Sequence, residues 1–237
     1  MTHPLKVPAL LLFDIDGTLM LSGGAGRDAL HRSFKELFDV DDATAGIRLH
    51  GQTDPQIFAD ILKARNLDPD PTGEAFHAVR ERYIRYLAQG IQDAPAELMP
   101  GIPVLLDLLS QTAGFYLSLV TGNIEEGART KLSRFDLNRY FDTGGYGSDS
   151  AERRDLVPIA IDRVRETTGQ KFEKSRVVVI GDTEKDVDCG KFNGVKTVAV
   201  ATGGTTYEHL ESTQPDSLFR DFSDSDAVYQ TLLTLVS

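Results

Sequence analysis

Short stretches of nearly unbroken apolar residues alternate along this chain with longer ones in which apolar residues return every three or four positions. The former fall at Leu10–Phe13, Tyr116–Val120, Val177–Ile180 and Thr197–Val200. Each predicts a strand buried on both faces, as in a parallel sheet. Shorter extended stretches are predicted near Phe141 and Leu218. Helical spacing marks Ile102–Leu109, Glu125–Phe135, Leu156–Glu166, Lys185–Asn193 and Asp226–Leu235. This alternation predicts an α/β fold, a doubly wound parallel sheet (a Rossmann-like core) with right-handed crossovers.

One region breaks the pattern. Between Gly24 and Glu97 no buried strand is apparent, and three apolar sets repeat at helical spacing. They are Ala29, Phe34, Leu37 and Phe38, then Ile57, Ile61 and Leu62, then Phe76, Val79, Tyr83, Ile84 and Leu87. Residues 22–97 are therefore expected to be an inserted all-helical cap domain, with residues 1–21 and 98–237 forming the core. The Gly-rich run Ser22–Gly26 and the segment Asp93–Gly101, which carries Pro95 and Pro100, are the expected hinges.

Composition narrows the class. The chain has 237 residues, enough to bury a core in one domain or two. Its hydrophobic share of 41% and charged share of 26% are those of a soluble globular protein. No apolar run approaches a membrane span, and Met1-Thr2-His3-Pro4 lacks the shape of a secretion signal. The single cysteine, Cys189, fits a reducing cytoplasm, the expected location. A net charge of -11 argues against nucleic acid and anionic membranes as partners. The expected partner is a small molecule, and the expected state is monomer or homodimer.

The first strand ends in Asp14-Ile15-Asp16-Gly17-Thr18-Leu19. Side-chain alternation would place both carboxylates on one side of the chain. Close carboxylates repel, so a cation is expected there, Mg2+ at the carboxyl end of a parallel strand. A surface turn explains the same residues. Val177–Ile180 likewise delivers Gly181-Asp182-Thr183-Glu184-Lys185-Asp186. Helix capping by Asp182 and dipole placement of Asp186 would account for it. If the two strands are neighbours, however, Asp14, Asp16 and Asp182 converge as hard oxygen ligands.

The strand Tyr116–Val120 runs into Thr121-Gly122-Asn123 and a helix. That is either a plain capped junction or a phosphate cradle of hydroxyl and backbone N–H groups. Arg153 and Arg154 precede another helix, either as solvated surface or as a cation for an anionic group. His50, Gln52 and Thr53 lie in a polar loop that faces a site or merely turns before Asp54-Pro55. Cys189 reads as a core thiol, and His3, His31, His77 and His209 lack metal-ligand spacing.

Taken in order, Asp14-Ile-Asp16-Gly-Thr-Leu19, Thr121-Gly-Asn123 and Gly181-Asp182-Thr-Glu-Lys-Asp186 resemble the haloacid dehalogenase-like superfamily, specifically its phosphoglycolate-phosphatase-like branch with a helical cap. The resemblance spans essentially the whole chain. It implies a Mg2+-dependent phosphatase of a small phosphate monoester. Asp14 would be the nucleophile and Asp16 the acid and base. The metal would sit among Asp14, the Asp16 carbonyl, Asp182 and Asp186. Thr121, Gly122 and Asn123 would hold the phosphoryl group, with Arg27, His50, Gln52 and Thr53 facing the substrate from the cap. An arginine stands where the family usually has lysine, and counting back from Pro158-Ile159-Ala160 assigns that place to Arg153. A sugar phosphomutase of the same fold and a non-catalytic binding module are the competing readings.

Overall fold

The computed structural model describes Leu5 and residues 7–237; Met1–Pro4, and His3 among them, lie outside the described residues. The strands are β1 (Ala9–Phe13), β2 (Met20–Leu21), β3 (Glu97–Leu98), β4 (Phe115–Thr121), β5 (Gly144–Tyr146), β6 (Val177–Gly181), β7 (Lys196–Val200) and β8 (Ser217–Phe219). The helices are α1 (Ala25–Phe38), α2 (Asp54–Ala64), α3 (Glu74–Gly90), α4 (Ile102–Ser110), α5 (Glu125–Ser133), α6 (Arg153–Thr168), α7 (Glu184–Asn193), α8 (Tyr207–Ser212) and α9 (Ser225–Leu235).

Six strands form one parallel sheet in the order β5-β4-β1-β6-β7-β8. The strand β1 is fully buried, and its side chains divide between two layers. Ala9, Leu11 and Phe13 enter the larger core, while Leu10 and Leu12 pack with Val157, Ala160, Val177 and Val179 on the other face. That division is why its apolar run shows no alternation. The strand order reverses around β1, so β4 and β6 flank it. The crevice beyond the carboxyl ends of these three strands is where open α/β sheets bind ligands.

Between β2 and β3 the chain forms only the helices α1, α2 and α3. Buried residues on each apolar face, among them Phe34, Ile57, Phe58, Val79 and Tyr83, make one contiguous core with those of the sheet's first layer. No apolar periodicity marks β2 and β3, which pair antiparallel (Met20↔Leu98, Leu21↔Glu97) where the chain leaves and re-enters the sheet domain. Strands of two residues are too short for a periodicity to show.

The helix α6 begins three residues earlier than the apolar spacing suggests, at Arg153, and runs through Pro158. Proline cannot donate to the carbonyl four residues back. That carbonyl, of Arg154, accepts instead from Nδ2 of Asn193 at 2.8 Å. Among the described residues no helix is long and apolar enough to cross a membrane.

Candidate active site

Three carboxylates meet in the crevice. Asp14 follows β1 and is held by its N–H donating to the Ile180 carbonyl at 2.9 Å. Asp182 follows β6, and Asp186 lies in the first turn of α7. Each offers one oxygen within 4.8 Å of the others, and all three residues are buried. Thr183 and Asp186 form a reciprocal capping box: the Thr183 hydroxyl accepts from the Asp186 N–H, and Oδ2 of Asp186 accepts from the Thr183 N–H at 3.0 Å. That lock leaves Oδ1 of Asp186 for the site.

The electrostatics follow from burial. Desolvation, chiefly, pushes the Asp14 carboxyl up to about 6; the Arg153 guanidinium opposes this and nearby Asp186 and Asp16 add to it. Asp182 is fully enclosed, and burial followed by the charges of Asp186 and Asp14 pushes it up to about 9. Oδ1 of Asp182 has the Thr18 hydroxyl at a long 3.4 Å, and Oδ2 is a buried oxygen with no hydrogen-bond partner. Two glycines crowd the same oxygen: a Cβ on Gly17 would lie 2.5 Å from it, and one on Gly203 1.6 Å. A buried acceptor left unpaired in a ring of like charges is costly unless something cationic meets it. These donors suit a hard, oxygen-preferring cation.

One internal cation serves the cluster. Nη2 of Arg153, at the first position of α6, is 3.0 Å from Oδ1 of Asp14 and 2.6 Å from Oδ1 of Asp186. Arg153 is buried with them, and its neighbour Arg154 turns outward to pair with Asp188 at 2.8 Å. Helical periodicity separates the two adjacent arginines, sending one to the site and one to the surface.

The carboxylates of Asp14 and Asp16 do not sit together. The strand β1 stops at Phe13, so the alternation expected to carry them to one side has ended before Asp14. Gly17, at φ +85°, then turns the chain. Asp186, rather than Asp16, completes the carboxylate trio. Asp16 points toward the end of β4, where it accepts from Lys131 Nζ at 2.7 and 2.8 Å and from Asn123 Nδ2 at 2.8 Å. Thr121, fully buried, accepts from the same Asn123 Nδ2 at 2.8 Å.

A cavity of about 350 Å³ opens onto these groups, lined from the sheet by Asp14, Asp16, Thr121, Gly122, Asn123 and Arg153. The helical insertion contributes Arg27, His50, Gln52 and Tyr83 to the same walls. His50 also reaches Thr205 at 3.0 Å and stands 3.9 Å from Asp182 Oδ2. Gln52 spends its amide N–H on the Arg48 carbonyl. Thr53 is a different case: its hydroxyl caps α2 and donates to the Ala151 carbonyl at 3.0 Å, away from the cavity. A helix cap competes for the same hydroxyl that a ligand would need, and here the cap has it.

Two further residues stand in the site. From the sequence Lys131 is only a second choice for the phosphate clamp should neither Arg153 nor Arg154 serve, and Asp54 is the start of a helix. Asp54 is buried against the polar loop: its N–H donates to the Gly122 carbonyl at 2.7 Å, and its Oδ2 accepts from the Ile124 N–H at 2.9 Å. Burial pushes its carboxyl up to about 6, against the pull of Lys131. Neither belongs to a local motif, so only their contacts reveal them.

Acids at the carboxyl ends of two adjacent parallel strands, joined by a buried arginine, occupy the ligand-binding edge of an open α/β sheet, the arrangement of an α/β enzyme. A model of the haloacid dehalogenase-like hydrolases matches residues 11–200, and the chain belongs to that family. Within it the chain falls on the phosphoglycolate-phosphatase-like branch, which makes it a phosphatase-type hydrolase. It is 28% identical over 214 residues to a phosphoglycolate phosphatase of Aquifex aeolicus, covering 87% of this chain and 90% of that protein. It is also 30% identical over 222 residues to the tyrosine-protein kinase PtkA of Mycobacterium tuberculosis, covering 90% of this chain and 68% of the relative. In fold it resembles the crystal structure of CbbY from Rhodobacter sphaeroides in complex with phosphate. That likeness has a TM-score of 0.71 at 20% identity, covering 92% and 96% of the two chains.

Proposed function

We propose that the protein hydrolyses a small phosphate monoester, with a phosphoglycolate-like ester as the first candidate, through an aspartyl-phosphate on Asp14 and with Mg2+ as cofactor. The observation that carries this reading is the unpartnered Oδ2 of Asp182 inside the carboxylate trio. Asp14, Asp182 and Asp186, with the backbone carbonyl of Asp16, would hold the ion. Bound there, it would neutralise phosphoryl charge and keep the Asp14 carboxylate ionised.

The chain's own residues account for the rest. A carboxylate oxygen of Asp14 attacks phosphorus, the bond from phosphorus to the leaving oxygen breaks, and Asp16 supplies the proton that the departing alkoxide needs. Asp16 then takes a proton from water, which attacks the same phosphorus and breaks its bond to Asp14, releasing phosphate. Thr121 and the amides around Gly122 would bind two phosphoryl oxygens at the end of β4. Arg153 would take another with the guanidinium edge that now faces Asp14, a donor fork suited to anionic oxygens. The helical insertion, residues 22–97, would act as the cap that excludes water. Arg27, His50 and Gln52 would meet the leaving group from its side.

Purified protein should hydrolyse p-nitrophenyl phosphate with Mg2+ and stop when excess chelator is added. A panel of some tens of cellular phosphate esters then identifies the substrate class. Metal-independent turnover, or none on any ester, would refute the reading, and isomer formation from a hexose 1-phosphate without free phosphate would replace it with mutase chemistry.

A further inference from the structure

Asp16 is not a free carboxylate at the cavity wall. Lys131 reaches it from α5 with its ammonium 2.8 Å from Oδ1 and 2.7 Å from Oδ2, and the same ammonium donates to Oδ1 of Asn123 at 2.6 Å. Asn123 completes the loop by donating from Nδ2 to Oδ2 of Asp16. Lys131 itself is only 5% exposed. Burial works to strip its proton, but the charges of Asp16 and Asp54 hold its pKa above that of an ordinary lysine. Asp54 comes from the first turn of α2, on the helical insertion.

A buried ammonium is a poor way to stabilise a fold, because an apolar side chain of similar volume would serve as well or better. The contacts made here point elsewhere. Every donor of the group is aimed at Asp16 or at the asparagine that orients it, and Asp16 is the one member with its side chain substantially open to the cavity, at 39%. The arrangement is also uneven. Oδ2 of Asp16 accepts from both Lys131 and Asn123, whereas Oδ1 accepts from Lys131 alone. Oδ1 therefore keeps the lone pair available to a proton.

We propose that Lys131 is a positioning residue that fixes the Asp16 carboxylate so that Oδ1 presents to the leaving oxygen. The inference rests on the reaction proposed above and assigns this chain a residue pair that no local motif announces.

The test is Lys131→Met, which keeps the hydrocarbon stem, with Lys131→Gln as the alternative if the first fails to fold. Turnover of an alkyl phosphate should fall by about 10²-fold, the scale of losing one oriented donor in an active site, with KM changed by less than about 3-fold. The loss on p-nitrophenyl phosphate should be about 10-fold smaller, because that leaving group needs little help from an acid. In an Asp16→Asn background, removing Lys131 should cost less than about 3-fold, since it would have nothing left to position. Unchanged turnover, a raised KM with kcat kept, or an equal loss in the Asp16→Asn background would each overturn the proposal. If the wild type turns over no phosphate ester, the proposed reaction fails by itself. The pairing is then read from thermal unfolding of the two single variants and the double. Coupled residues give a combined Tm change smaller than the sum, and strict additivity would refute the pairing.

Discussion

Nη2 of Arg153 stands 3.0 Å from Oδ1 of Asp14, joining the first residue of α6 to the end of β1 across the sheet. The same nitrogen reaches Asp186, so one guanidinium counters two of the three clustered carboxylates. Its position makes it the only arginine of the adjacent pair able to meet a group bound at Asp14.

Replacing that arginine should therefore be severe. Arg153→Ala is expected to cut phosphatase turnover by about 10²-fold or more, the range seen on losing one transition-state donor. Arg154→Ala should stay within about 3-fold, because its exposed pair with Asp188 is of the kind that contributes little. Steady-state rates for both variants check the assignment. Full activity of Arg153→Ala would move the phosphate clamp elsewhere.

Asp14→Asn should abolish turnover without unfolding the protein. It removes one of three mutually repelling buried carboxylates, so the variant's Tm in chelator should equal or exceed that of the wild type. A site that works by clustering like charges is stored strain, and relieving it favours the fold. Retained turnover would mean that Asp14 is not the nucleophile.

Stability should depend on pH with the opposite sign to that of ordinary salt-bridged carboxylates. In the unfolded chain Asp14 and Asp182 ionise near pH 4. In the fold they hold their protons up to about 6 and about 9 respectively. Below pH 4 both states are protonated and nothing is lost. As pH climbs, the unfolded chain releases protons that the fold still keeps, so stability declines through this window and levels off above pH 9. Tm in chelator should therefore fall steadily over that range. Added Mg2+ should raise Tm more at pH 8 than at pH 5, where protons compete for the same oxygens. A flat response to Mg2+ at pH 8 would count against the cation site.

Gly203→Ala should disable the metal site from outside the carboxylates. Its new Cβ would lie 1.6 Å from Oδ2 of Asp182, so either the loop or the carboxylate must move. The expected result is loss of the Mg2+-dependent rise in Tm and a drop in turnover of at least about 10-fold, as for other displaced catalytic groups. Gly90→Ala is the control. Its Cβ meets nothing within 4 Å, so activity should be unchanged and α3 slightly stabilised.

Much of this was legible in the chain. The apolar runs announce β1, β4, β6 and β7 because a strand buried on both faces is apolar at nearly every position, and their short length between turn residues sets them apart from buried helices. The acids stood out because they interrupt those runs abruptly. The count from Pro158 picked out Arg153 over Arg154, and in the fold it is Arg153 that lies beside Asp14. The ribbon of β2 and β3, the helix α8 and the early start of α6 were not legible. The ribbon depends on a pairing partner far away in sequence, while α8, capped by its neighbour Thr206, is too short for a periodicity to show.

The sequence by itself therefore determined the sheet, the order of its strands' polar ends, and the residue types gathered at each, because local patterning dictates which segments must be buried. The tertiary structure alone decided which carboxylates meet. It turned Asp16 away from Asp14 toward Lys131, put Asp186 in its place, tied the Thr53 hydroxyl to the Ala151 carbonyl, and buried Asp54 against the Gly122 loop. These outcomes rest on contacts between residues some tens of positions apart or more, and side-chain direction past the end of a strand follows the turn that Gly17 makes and not the pleat that precedes it.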